Sequence, residues 1–284
     1  MNEIVKYKND FNGIVFDTLE INRAGKKELL TWTGQELKTF FALIGLVRDK
    51  GSEKIKISLQ YLKELCGYEH KGYAQFAEHL RQMDEKNLSI IGHIRLDSSG
   101  NYERFTIFTD FAIDMKKREL TIGVHEKAIP LLNDVRNNFT RFNLEELVGI
   151  KGKYAILLYR ELKQYRLQGV WNVDYKTFKE LMGIRSSDNK KIRDKILIPA
   201  IEGLKPIYPD LTVERKYIWN GSSRETNRLI FRFTPENPMQ FRDKGAEDRF
   251  ADYNLANDNI DEERWAQLGD VYQPRNNNHN ASEA

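Results

Sequence analysis

The chain has little cysteine and histidine, no long apolar run and no glycine-rich phosphate loop, and each shortage removes a class of function. A single cysteine, Cys66, excludes an internal disulfide framework and a cysteine-rich zinc site, and fits a reducing cytoplasm. The five histidines are His70, His79, His93, His125 and His279. No two flank one apolar residue, as the metal ligands of rolling-circle nucleases do, and none has the i, i+4 helical zinc spacing. No GxxxxGK[ST] loop occurs: AGKKELL at 24–30 has Lys27 where Ser or Thr is needed and lacks the upstream glycine. A Gly-x-Ser-x-Gly elbow is also missing. These absences predict a protein that is not an enzyme and needs no cofactor or metal. The first residues, MNEIVKYKND, hold no apolar signal core, and no stretch approaches the roughly 18 apolar residues of a membrane span. A cytoplasmic location without membrane contact is expected.

What is present is a charge block hidden by a modest net charge of +3 over 284 residues. Residues 151–233 hold 18 Lys and Arg against 9 Asp and Glu, whereas 1–150 balance at 22 against 22 and 241–284 are acidic at 5 against 10. A basic excess confined to one module suggests a polyanion partner, because phosphate contact releases counterions. Hydrophobic residues at 40% suffice for buried cores, and the length suggests two domains.

The basic module reads as KGKYAILLYRELKQYR, then WNVDYKTFKELMGI, then SSDNKKIRDKILIPAIEGLK, then DLTVERKYIWNGSSRETNRLIFRF. That is helix, short strand, helix, turn, basic helix and two strands joined by a polar loop, the order of a winged helix-turn-helix. Trp171–Val173 form the strand, Asp174 caps YKTFKELM, and Gly183 ends that helix. The first half repeats the order. Gly34–Val47 puts Leu37, Phe40, Phe41, Ile44 and Val47 on one helical face. Ile55–Ile57 form a strand, Ser58 is the expected N-cap of LQYLKELCGY, and Gly67 suits its left-handed end. A helix over 73–85 follows, then strands at 88–95 and 103–109 joined by the hairpin signal DSSGN. The likeness of LQYLKELCGY to YKTFKELMGI indicates internal duplication, with a junction near 120–145.

With these residues in line, the chain resembles the iteron-binding, theta-type plasmid replication initiators. KYAILLYRELKQYR, WNVDYKTFKELMGI and above all IRDKILIPAIEGLK followed by DLTVERKY carry the resemblance, including the run Ile196, Leu197, Ile198, Pro199, Ala200, Ile201. It covers 145–233 strongly and 30–145 more weakly. Ile198 and Gly203 depart from it, standing where the family often has acidic residues. The resemblance implies an α+β fold of two tandem winged-helix domains, here 1–135 and 136–235. The tail, 236–284, lies outside it and is read from its acidic, Asn-rich composition as mostly disordered. In that tail Phe250, Tyr253, Leu255 and Trp265 could dock a partner, beside the simpler reading of a solvated segment. The family resemblance further implies binding to double-stranded DNA as direct repeats at an origin, recruitment of a host initiator and replicative helicase, and a monomer that initiates beside a homodimer that represses its own promoter. A winged-helix transcriptional repressor without an origin role is the alternative.

Within the second domain, Asn189 to Ile198 is the expected groove-reading segment, because a major groove about 12 Å wide admits one helix. At 100° per residue, Ile192, Ile196, Leu197 and Ala200 share one side, and Asp188, Lys191 and Lys195 the other. Lys190 and Lys191 taken alone also fit a solvated surface. Arg193 projects near the apolar side and reaches phosphate by snorkelling. Arg185, Ser186 and Ser187 stand in the turn before the helix, where backbone donors favour anions. Arg215 and Lys216 on the first wing strand, with Arg224 and Arg228 on its return, are expected to hold the DNA backbone or dip into the minor groove. Pro199 lacks an N–H and is expected to kink the helix, ending its DNA-facing part. The matching first-domain helix, YAQFAEHLRQMDEK, is far less basic and suits weaker DNA contacts or dimerisation.

Overall fold

A computed structural model describes residues 3–21, 27–87, 105–135, 138–221 and 223–237. The tail beyond 237 and the DSSGN link lie outside the described residues. The chain opens with β1 (Ile4–Lys8), a 3-10 turn (Asn9–Gly13), and a hairpin of β2 (Thr18–Ile21) and β3 (Lys27–Leu30). Then come α1 (Gly34–Val47), β4 (Ile55–Ser58), α2 (Leu59–Leu65), α3 (Tyr73–Asn87), β5 (Phe108–Asp114) and β6 (Glu119–Val124). The short α4 (Ile129–Leu132), β7 (Phe139–Asn143) and α5 (Leu144–Gly149) lead into α6 (Lys153–Gln164). The second half continues with β8 (Val170–Asp174), α7 (Tyr175–Leu181), α8 (Asn189–Ile192), a π turn (Arg193–Leu197), α9 (Ile198–Leu204), β9 (Thr212–Asn220) and β10 (Ser223–Arg232).

Each half builds one three-stranded antiparallel sheet with the last strand in the middle: β4-β6-β5 in the first and β8-β10-β9 in the second. The strand before the helix pair joins the wing in the same way twice. In both halves a glycine ends the first helix in the left-handed region, Gly67 at φ 68° and Gly183 at φ 66°. The architecture is α+β, with two winged-helix units in tandem.

Local chemistry accounts for the helix starts. Thr33 and Glu36 form a reciprocal capping box on α1, with Thr33 Oγ1 accepting from Glu36 N at 3.2 Å and Glu36 Oε2 accepting from Thr33 N at 2.7 Å. The five apolar residues expected to face the core are all buried. Asp174 accepts from the Lys176 and Thr177 amides. Ser58 departs from expectation: it stands before α2 without a side-chain bond, and Leu59 N instead donates to Arg118 O at 2.8 Å.

The first wing also differs. Its described strands are β5 and β6, so the strand expected at 103–109 begins only at Phe108 and runs on to Asp114, while the one expected at 88–95 lies outside the described residues. Strands β5 and β6 meet at a turn with no glycine: Asp114 Oδ1 accepts from the Lys116 and Lys117 amides, and Arg118 takes φ 54°. An Asx turn of this kind leaves only a weak mark in sequence.

The two units share one apolar core, running from Phe40, Phe41 and Phe76 to Trp171, Phe178 and Phe231. Pairing of β1 with β7 brings Val5 opposite Phe142. Helix α6 packs on both α1 and α9. Its fully buried Arg160 donates to the carbonyls of Asn12 (3.0 Å) and Ile14 (3.3 Å) and bonds Glu161 at 2.6 Å. The basic helix thus rests on a scaffold contributed by both halves.

Candidate nucleic-acid interface

The segment 189–204 is one helical rod seated on the core. Asp188 caps it, accepting from Lys191 N at 3.0 Å, while Ser186 Oγ accepts from Asp188 N at 3.2 Å. Ile192, Leu197 and Ala200 are buried and Ile196 is half-buried. Lys190, Lys191 and Lys195 are exposed and make no salt bridge with any described residue. The rod does not end at Pro199. A ring in place of the amide proton cannot donate to Lys195 O, and the helix accommodates this by widening: Ile198 N donates to Arg193 O, five residues back. Helical turns resume to Leu204.

Arg193 is half-buried, and its Nε bonds Asp194 Oδ1 at 2.6 Å. This bond holds the Asp194 carboxyl below the usual carboxylate range and raises the guanidinium. Arg193 is therefore partly neutralised within the rod. In the preceding turn Arg185 and Ser187 are exposed and Ser186 is half-buried. The Asp188 carboxylate takes up one first-turn amide, so the anion-binding capacity of that turn rests on Arg185 and the hydroxyls.

The wing stands against the same side. Tyr175, first residue of α7, donates to Asn189 Oδ1 at 3.0 Å, and the Arg215 guanidinium pulls on its phenol, opposing the upward push of burial. Arg228 pairs in register with Lys216 on one side and Asp174 on the other, and its Nε donates to Asn172 Oδ1 at 3.0 Å. Tyr217 acts electrostatically on Arg193. Asn189, Arg193 and Arg215 thus converge where rod and wing meet, whereas Arg228, alternating with Leu229, lies with Lys216 on the other face of the ribbon. Lys216 is exposed and pairs with Glu214 at 2.5 Å. Arg224 lies opposite Trp219 in the register; its side chain is outside the described residues.

The sequence reading did not single out Tyr217, Ile218 and Trp219, all exposed on β9. Their signal was available: an apolar triplet that directly follows the charged run Glu214, Arg215 and Lys216. Trp171, by contrast, is buried against Phe231 at 5.2 Å between centroids, as its core reading requires.

The matching surface of the first half carries little free positive charge. Lys86 is committed to Glu36 at 2.6 Å and Arg81 to Glu78 at 2.8 Å. Among the described residues no group of three His, Cys, Asp or Glu could hold a metal ion, and no helix is long and apolar enough to cross a membrane.

A helix-turn-helix with a flanking wing, built twice over one core and basic in its second copy, defines a tandem winged-helix protein. The family model described as "Initiator Replication protein, WH1" matches residues 4–163, and the chain belongs to that replication initiator family. It is 29% identical over 241 residues to the "Probable replication protein rep" of Bifidobacterium longum (strain NCC 2705), covering 84% of this chain and 74% of that protein. Among solved structures, a Pi initiator protein in complex with iteron DNA matches with a TM-score of 0.57 at 13% identity, over 83% of this chain and 98% of that one. Domains 2 and 3 of RctB match at a TM-score of 0.41 and 11% identity, over 78% of this chain and 91% of that one.

Proposed function

We propose that the protein is a plasmid replication initiator that binds repeated origin sites as double-stranded DNA. One observation carries the reading: Lys190, Lys191 and Lys195 stand exposed on a rod whose opposite face is buried, and the wing cations flank it. Lys191 and Lys195 read base edges, while Arg185, Ser186, Ser187, Arg193, Arg215, Lys216, Arg224 and Arg228 hold phosphates and fix register. Residues 136–235 supply most of the affinity. Residues 1–135, with their internally paired charges, make weaker DNA contacts and the dimer interface. If both units dock on one face, their helices enter major grooves one turn apart, and a site on the order of 20 bp results. Support for the origin role comes from family membership and from the shared fold of the Pi protein, which is described in complex with iteron DNA.

Several bound copies bend the duplex and open neighbouring A·T-rich DNA. The chain then recruits the host initiator and helicase, and as a dimer it represses its own promoter. The test is a gel-shift series on the DNA upstream of its own coding region, with and without direct repeats. Preferential binding to the repeats is expected; equal binding to unrelated duplex overturns the proposal. Lys191→Ala or Lys195→Ala should weaken repeat binding by roughly 10- to 100-fold if the residue reads a base. An equal loss on random duplex marks it as a phosphate contact instead.

A further inference from the structure

We propose that the tip of the second wing, Ile218 and Trp219, is an apolar wedge that enters the minor groove and unstacks one base step, kinking the duplex. This deepens the DNA-binding proposal above and rests on it. Trp219 is 76% exposed and Ile218 48%; with Tyr217 they make up half of the large exposed hydrophobics among the described residues. Such clustering at one loop end sets them apart from scattered surface residues. Neither packs on the core.

As neighbours on one strand, Ile218 and Trp219 point to opposite faces of a two-stranded ribbon. They form a thin blade, not a flat patch, and a blade suits the gap between stacked bases better than it suits a protein surface. The ribbon also reaches far enough. From half-buried Val213 to Trp219 it advances about 20 Å at roughly 3.3 Å per residue. The flanks provide charge complementarity. Arg215, Lys216 and Arg228 line the ribbon below the tip, where phosphates on either side of a minor groove would lie. Glu225, opposite Ile218, is the carboxylate nearest the tip in the register. A minor groove about 6 Å wide excludes the ribbon body yet admits side chains from its tip, and apolar side chains inserted there bend DNA toward the major groove. The indole supplies a face for the exposed base.

The experiment uses the full chain on circularly permuted fragments of its own upstream repeat DNA. Bend angle is read from mobility and unstacked thymines from permanganate reactivity. The double variant Ile218→Ala/Trp219→Ala should still bind the repeats, within about tenfold, while the bend falls by roughly 20° or more. The permanganate signal should vanish. Trp219→Phe should restore most of both. An unchanged bend and unchanged reactivity in the double variant overturn the wedge while leaving the initiator reading intact. A changed oligomeric state with unchanged bend assigns the tip to protein contact and overturns it as well. Failure of the unmodified protein to prefer the repeats removes both proposals together.

Discussion

At the residue scale, His79 shows how burial sets a proton. Thr39 uses its one hydroxyl proton on Gln35 O at 3.0 Å, so at 2.9 Å it accepts from His79 Nε2, which fixes the tautomer. The ring stacks on Tyr68 at 4.8 Å. Burial lowers its pKa from 6.5, opposed by Glu36 and assisted by Lys86. The unfolded chain therefore binds more protons below pH 6.5, and the contribution to stability present above that pH is lost as pH falls. Denaturant melts between pH 7.5 and 5 should show this loss, and His79→Gln should flatten the profile. Burial also pushes the Cys66 thiol up to about 11, so it is a packed, unreactive group.

At the element scale, the wing offers a test independent of base sequence. Arg215→Ala and Arg228→Ala should each reduce the slope of log affinity against log salt by about one unit, measured on repeat duplex. An unchanged slope removes the wing from the interface. A second test concerns the turn into β8. Gly169 sits at φ 68°, and a Cβ there would lie 2.5 Å from Phe233 O. Gly169→Ala should lower stability by about 1–3 kcal/mol in thermal melts. Elements like these explain what could be read in advance. The bounds of α1, the Asp174 cap, both left-handed glycines and the outward lysines of the rod are local patterns, visible within a few residues. The pairing of β1 with β7 was not visible, because IVKYK and FTRFN are short and far apart in the chain. The second strand expected for the first wing was set about five residues early, because the turn that ends it is held by Asp114 and not by a glycine. Continuation of the rod past Pro199 required a wide turn that no residue advertises. The meeting of Arg193, Arg215 and Asn189 depends on the tertiary fold and has no sequence signature.

At the scale of the whole molecule, the end of the described chain is part of the core. Phe233 N donates to Gly169 O at 2.9 Å and Glu236 N to Arg166 O at 2.8 Å. The Glu236 carboxylate pairs with buried Lys163, which also meets Glu146 at 3.0 Å. Deleting 241–284 should leave repeat affinity within about twofold, since the acidic segment lies beyond the basic module. Ending the chain at 233 should instead cost a few kcal/mol (~2–4) of stability, because buried Lys163 loses one of its two carboxylate partners and the Glu236 N–H to Arg166 O bond goes with it. Matched gel shifts and melts on the two truncations check both. Because α6 belongs to both winged units, the two halves cannot loosen independently. Heat-sensitive alleles of this gene should accordingly map as often to the half with few free cations as to the half with the basic rod, and their phenotype at elevated temperature should be loss of the replicon.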